Sequence, residues 1–332
     1  MFEGKSVLVA GGAGFVGVNL IKRLLKCGAN VTATLHKKPV VIDDGRIKYI
    51  RCDLTKREDC QRAVEGVDYV FMCAANTSGA AVMEKTPLVH VTPNVVMNTL
   101  MLEAAYEAGV RKFLFISSNT VYPVANHPVK EDEMIPGQMF EKYFCVGWMK
   151  QFTEILCQMY AEKIKKTMKT VVVRPANIYG PNDDFEWETS HVLPALIRKV
   201  VERHDPIEVW GDGNDIKDFI YIDDFVEGIL LAMEKLETFV PMNIATGVPC
   251  SIRQALDAIL QADGYTDANI IFDSSKPTMI PKRLIDTTRA KQLLGFEAGT
   301  SIAEGIKKTV DWYRKMRAFS DRQQLVNQQC GG

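Results

Sequence analysis

The chain has 332 residues, 47% of them hydrophobic, which is enough apolar material for one large or two modest domains. Lys and Arg total 40 against 41 Asp and Glu, a balance that argues against a nucleic-acid or anionic-membrane surface as the main partner. No apolar run reaches the roughly 18–20 residues of a bilayer span, and the eight cysteines show neither CxxC nor metal-ligand spacing; no metal site is expected, and reduced thiols in a cytoplasmic protein are.

Short β-rich apolar runs alternate with helical patterns from the start. Ser6–Ala10 reads as a strand opening almost at the first residue, with no leader expected before it. A helix over Gly14–Cys27, strands over Asn30–Leu35 and Ile47–Cys52, a helix over Arg57–Glu65 and a strand over Asp68–Cys73 follow. Thr92–Ala108 has apolar residues at helical spacing, Lys112–Ser117 is a strand, Glu141–Lys166 one long helix, and Thr170–Arg174 a strand. Runs such as VLVA, YVFMCA, FLFI and VVVR suit strands buried on both faces. The alternation predicts an α/β fold: a Rossmann-type doubly wound parallel sheet with helices on both faces. After Arg174 the pattern loosens. Helices are expected over His191–Arg203, Asp223–Lys235, Ser251–Ala262 and Ser301–Lys315, with a strand over Ile207–Trp210 and Ser251 and Ser301 as N-caps. This half reads as smaller α/β material laid over the sheet. The expected divisions are 1–175, a dinucleotide-binding domain; 176–318, a substrate region exchanging some strands and helices with the first; and 319–332, a flexible polar tail.

Residues 10–20 read AGGAGFVGVNL, with Gly11, Gly14 and Gly17 spaced GxxGxxG between a strand and a helix. Glycine permits the tight turn and the close approach of a pyrophosphate, and the helix start at Phe15 and Val16 offers free N–H groups to that anion. The alternative is a glycine-rich strand–turn–helix connection with no ligand. The end of the second strand reads VTATLHKKP, with no carboxylate before Asp43 to hold a ribose 2′-OH. His36, Lys37 and Lys38 suit a 2′-phosphate, so NADP(H) is favoured and NAD(H) remains open; the bland reading is three solvated loop residues.

The glycine spacing, CDLT at 52–55, CAAN at 73–76, SSNTVYP at 117–123 and RPANIYGP at 174–181 occur in that order. Together they resemble the extended short-chain dehydrogenase/reductase family of nucleotide-sugar epimerases and dehydratases, from about residue 4 to residue 316. AANTSGA, TSHVLPALIRKV, VWGDGNDIKDFIYIDD and KPTMIPKRLIDTTRAKQLLGF narrow the resemblance to its GDP-L-fucose synthase branch. The resemblance implies that Asp53, with Leu54 beside it, meets the adenine, and that Ala74 and Ala75 pack along the cofactor. Ser117 lies on the cofactor side, and the Ser118 hydroxyl bonds the reacting sugar oxygen. Lys150 binds the nicotinamide ribose, and Pro175 and Asn177 sit near the nicotinamide and the substrate diphosphate. His191, Lys217 and Arg283 line the nucleotide-sugar site. A homodimer through a four-helix interface of helices 93–108 and 141–166 is implied as well. Outside the family pattern, Lys217 and Arg283 read as solvated charges and Ser118 as a turn former.

The sequence departs from that pattern at FCVGWMK, residues 144–150. The family's YxxxK becomes Val146 and Lys150, and valine cannot transfer the proton that the tyrosine handles. Three readings stay open. Tyr143 substitutes, although it lies about 10 Å along the helix from Lys150. Alternatively, Ser118 or Thr120 relays a proton through water and Lys150. Or the fold is kept for binding alone. A second departure is Thr120, where the branch places the cysteine that works with a histidine in epimerisation, and a third is Lys217 in place of an arginine. The expected activity is an NAD(P)-dependent oxidoreductase on a nucleotide-activated sugar, GDP-linked, with hydride transfer at C4. The alternatives are an epimerase or dehydratase with a rewired acid, and a non-catalytic module binding both ligands.

Overall fold

The computed structural model describes residues 1–76, 86, 88–276 and 278–330. Part of the AANTSGA stretch and the end of the polar tail therefore lie outside the described residues. The first half runs β1 (Ser6–Ala10), α1 (Phe15–Lys26), β2 (Asn30–Leu35), β3 (Ile47–Arg51), α2 (Arg57–Ala63), β4 (Tyr69–Met72), α3 (Leu88–Glu107), β5 (Lys112–Ile116), α4 (Phe144–Gln158) and β6 (Lys169–Pro175). The second runs β7 (Asn177–Tyr179), α5 (Val192–Val201), β8 (Ile207–Trp210), β9 (Ile216–Lys217), β10 (Phe219–Tyr221), α6 (Ile222–Lys235), β11 (Met242–Ile244), β12 (Cys250–Ser251), α7 (Ile252–Asp263), β13 (Ile270–Asp273), α8 (Thr288–Leu294) and α9 (Ile302–Cys330).

The expected doubly wound sheet is present, with seven strands in the order β11-β6-β5-β4-β1-β2-β3 and every pairing parallel. Successive side chains go to opposite faces, as strand geometry requires. Val7, Val9, Phe71, Leu114 and Val171 enter one core, Leu8, Ala10, Val70, Phe113 and Val172 the other. The first core is closed by α1 and α6, the second by α2, α3 and α4. Strand order reverses between β1 and β4, so the carboxyl ends of these strands open onto a switch-point crevice, where such sheets take ligands.

The seventh strand, β11, was not expected. MNI is too short to give a period of its own, and only pairing with Val173–Pro175 of β6 makes it a strand. The other short pairs, β7 with β10, β9 with β12 and β8 with β13, form the second region under α5, α7 and α9. Helix α7 begins with the expected cap: Ser251 Oγ accepts from the Gln254 amide, and Gln254 reaches back to the Ser251 amide. The segment set apart in the sequence as a tail is helical through Cys330.

Two helix boundaries differ from expectation. Helix α3 starts at Leu88 and carries Pro93 inside it. Proline removes the bond to the carbonyl four residues earlier; that carbonyl, Val89 O, accepts instead from Asn76 Nδ2 at 2.9 Å. The expected helix over 141–166 is a 3₁₀ turn at Glu141–Tyr143, then α4, then a π turn at Met159–Lys163. Among the described residues no helix is long and apolar enough to cross a membrane.

Candidate active site

The glycine loop joins β1 to α1, and each glycine has a different reason to be there. Gly11 sits at φ +84°, and its amide donates to Thr34 Oγ1 at 2.8 Å. A Cβ on Gly11 would lie 2.7 Å from the Ala74 backbone, and one on Gly17 would strike Gly11 O. Gly14 is the N-cap of α1 and supplies no side-chain bond, so the Phe15, Val16 and Gly17 amides point from the helix start with no acid in the first turn. Packing rather than capping holds this helix: Leu20, Ile21 and Leu24 are fully buried, at roughly 1.5–3 kcal/mol each. The loop therefore fits a pyrophosphate both sterically and electrostatically.

Beyond β2, His36, Lys37 and Lys38 are exposed, and Arg51 donates to His36 O at 2.7 Å. Asp53 faces this end. Hydrogen bonds from the Thr55 hydroxyl and amide lower its pKa, and His36 adds to the effect. Leu54 is buried beneath it, Ala74 is half-buried against Gly11, and Ala75 is exposed. Sequence reasoning missed Asp183 in the loop after β7. Its Oδ2 is buried without a hydrogen-bond partner; desolvation pushes its pKa up to about 8, the Asp184 charge adds to the rise, and Lys38 opposes it.

The residues expected to carry the chemistry lie at the carboxyl end of β5. Ser118 is half-buried and extended, and its Oγ accepts from the Thr120 amide at 3.2 Å, capping the turn at Asn119–Val121. Asn119 Nδ2 ties that turn to Pro175 O at 2.9 Å. Thr120 Oγ1 is buried and has no partner. Helix α4 comes close because position 147 is glycine; a Cβ there would lie 3.0 Å from Thr120 O. Lys150 Nζ donates to Ile116 O at 2.8 Å and lies 4.8 Å over the Phe115 ring. Burial brings its pKa down to about 8, against the pull of Glu154. Val146, half-buried, stands one turn before it.

Both nearby tyrosines are engaged away from Lys150. Tyr122 is fully buried; its hydroxyl donates to Asn243 Oδ1 at 2.6 Å and accepts from Arg174 at 3.1 Å. Tyr143 sits in the 3₁₀ turn before α4. Desolvation raises its pKa to about 12, although Arg283 and the Ile280 backbone pull the other way. Its phenol thus belongs with Arg283, not with Lys150.

Ser117 is buried and turned away from the crevice, with its Oγ on Glu154 Oε1. Lys217 and Arg283 are buried, not solvated. Lys217 donates to Ile280 O and pairs with Asp215 at 3.4 Å, while Arg283 donates to Pro123 O at 2.9 Å and Tyr122 O at 3.1 Å. Arg283 Nε is left without a partner. Burial lowers the Lys217 pKa, opposed by Asp215, and Arg283 is near enough to lower it further. Asn177 is half-buried and its amide bonds Asp218 O. His191 is exposed at the N-cap of α5. Among the described residues no cluster of His, Cys, Asp and Glu could hold a metal.

Residues 7–245 match the family model described as NAD dependent epimerase/dehydratase. A probable GDP-L-fucose synthase of Oryza sativa subsp. japonica is 28% identical over 322 residues, covering 94% of this chain and 92% of the relative. The GDP-L-fucose synthase of Escherichia coli K12 is 31% identical over 265 residues, covering 76% of this chain and 81% of the relative. Among solved structures, a UDP-glucose 4-epimerase of Thermotoga maritima with UDP-glucose aligns at TM-score 0.85 and 29% identity, covering 94% of this chain and 99% of the other.

Proposed function

Because this chain belongs to the NAD dependent epimerase/dehydratase family, we propose that it is an NAD(P)-dependent oxidoreductase acting on a nucleotide-activated sugar, GDP-linked, with hydride transfer at C4. The observation that carries this reading is that Lys150 Nζ bonds Ile116 O, the last residue of β5, two residues before Ser118 and two strands from the glycine loop of β1. The GDP-linked relatives favour guanine as the base, and the aligned 4-epimerase favours C4. When bound, the dinucleotide supplies the hydride donor or acceptor.

The chain's own residues then have distinct tasks. The Phe15, Val16 and Gly17 amides hold the pyrophosphate, Ala74 and Ala75 flank the cofactor, and Asp53 meets the adenine. His36, Lys37 and Lys38 favour NADP(H) over NAD(H) by offering positive charge where no carboxylate stands. The Ser118 hydroxyl holds the sugar oxygen. Lys150 fixes the ribose and, with a midpoint of about 8, lies near a working pH at which it can pass a proton through water to Ser118 or Thr120. Pro175 and Asn177 border the nicotinamide and the diphosphate. Lys217 and Arg283 neutralise the diphosphate by field and by the free Arg283 Nε, and His191 lines the sugar site. Thr120 is a poor base near neutral pH, so two-centre epimerisation is not the activity.

A homodimer is part of this reading. Leu88, Phe144, Trp148 and Phe152 are exposed and line an apolar groove between α3 and α4, which a second copy would cover. A cytoplasmic location is also proposed, on the free thiols of the described cysteines.

The deciding experiment follows cofactor absorbance with NADPH and NADH against a panel of GDP-, UDP- and dTDP-linked 4-keto sugars. Turnover with a GDP sugar and NADPH is expected. Tight binding of both ligands without turnover would favour a non-catalytic binding module, the reading that Val146 by itself supports.

A further inference from the structure

One buried cluster beside the site has no task in the mechanism above. Glu154 lies four residues beyond Lys150 on α4, hence on the same helix face one turn on. It is 2% exposed and sits 2.6 Å from Arg174 Nη2. Its Oε1 accepts from Arg174 Nε at 3.0 Å and from Ser117 Oγ, and its Oε2 accepts from Arg174 Nη2 at 2.6 Å. Arg174, itself buried on β6, passes the contact on to Tyr122 and Glu131 O. One carboxylate thus joins the residue before Ser118, the helix that carries Lys150, and the strand that leads to Pro175.

We propose that Glu154 is a positioning residue of this site: its carboxylate holds Lys150 as an ammonium by charge and fixes the Ser117–Ser118 strand end by hydrogen bonding. This deepens the oxidoreductase reading and rests on it for its catalytic consequence only. A pair whose partners were merely structural would be as well served by apolar residues of similar volume, since burying two charges costs about as much as their attraction returns. Here the pair lies one turn from Lys150, the group at the β5 end of the crevice that can lose a proton near neutral pH.

The groups around Lys150 make the direction of the effect unambiguous. Its own helix presents Glu154 and Cys157, whose thiol is held protonated by burial and by Glu154. β5 presents the Phe115 ring, Ile116 O and the Ser117 hydroxyl. Behind Glu154, β6 presents Arg174, which is bonded in turn to Tyr122, a neutral phenol. Glu131 is farther along, bonded to the Asn243 amide and beside Arg289. Glu154 is the anion that opposes desolvation at Lys150.

The test is Glu154→Gln in the full-length protein, which keeps the shape and one acceptor oxygen but removes the charge. With ¹⁵N-labelled lysine, the Lys150 Nζ signal is assigned through Lys150→Arg and titrated from about pH 6 to about pH 10. The midpoint should fall below that of the wild-type protein by about 1–3 pH units. An unmoved or raised midpoint overturns the proposal. If the single variant does not fold, Glu154→Gln with Arg174→Gln removes both charges and keeps a buried hydrogen-bonded pair; the fall should then be smaller, because a cation is removed with the anion, and an unmoved or raised midpoint again overturns the proposal. Single-turnover NADPH oxidation by a GDP-linked 4-keto sugar gives the second readout. The alkaline limb of its pH profile should move down with the lysine. At a fixed alkaline pH the rate should drop about tenfold for every whole pH step by which the midpoint falls. A uniform loss at every pH, with the limb unmoved, would mean a structural role only and would overturn the proposal. Absence of turnover in the wild type would sink the oxidoreductase reading, while the lysine titration would still decide on Glu154.

Discussion

The two ends of the crevice are built from different materials. At the glycine loop the groups proposed to face a ligand are backbone amides, set by the turn from β1 into α1 and by the absence of side chains at Gly11 and Gly17. At the β5 end they are side chains: Ser118, Thr120 and Lys150. A backbone site depends on the turn and on the glycines that leave it open. A side-chain site changes with one substitution, and Val146 is proposed to be such a change.

The largest test of this contrast is Val146→Tyr. Positions 146 and 150 are about 6 Å apart along the helix, so a phenol there would stand beside Lys150. Single-turnover hydride transfer should rise by up to roughly 10²–10⁴, reduced by overpacking around the larger ring. No gain in a folded variant that still binds cofactor would mean that the side-chain end has been rebuilt beyond a single residue.

Gly14→Asp probes the backbone end. Aspartate is a good N-cap, so α1 should persist. Its charge about 4 Å from a pyrophosphate should cost about 4 kcal/mol, close to 10³ in dinucleotide affinity measured by titration calorimetry. Retained affinity in the folded variant would place the cofactor elsewhere.

Asp183→Asn is a smaller test, of a side chain at the backbone end. The folded carboxyl has its pKa raised to about 8, above its ordinary 3.8. The folded state therefore binds the proton more tightly, and stability is lost as pH rises through that window. The variant should have a higher Tm than wild type above about pH 8 and a similar Tm near pH 4. Equal melting curves at both pH values would show that the carboxyl is solvated.

The smallest expected effect is that of Tyr143→Phe. Its hydroxyl belongs with Arg283 and the Ile280 backbone, so hydride transfer should change little. A collapse of rate, with Val146→Tyr silent, would show that Tyr143 has taken over the proton.

The sheet was legible because both of its faces are buried. Unbroken apolar runs such as YVFM admit no other strand, and the glycine loop announces the helix after it. The three-residue strand MNI was not legible, since its partner in β6 is distant in the chain, with Met242 opposite Val173, and nothing local favours extension. Pro93 looked like a helix start because a sequence cannot show that Asn76 supplies the bond which proline removes.

For the site, the sequence by itself determined the local pieces: the GxxGxxG turn, Ser118 at a strand end, and Lys150 one turn after Val146. These depend on neighbours in the chain, and helical and strand periods carry them. Only the tertiary structure decided how the charges are spent. Lys217 and Arg283, read as surface cations when taken alone, are turned onto the carbonyls of Ile280, Tyr122 and Pro123. Glu154 and Arg174, 20 residues apart, meet because α4 packs on β6, and a buried charge is tolerated only where a distant segment brings its counter-charge to it.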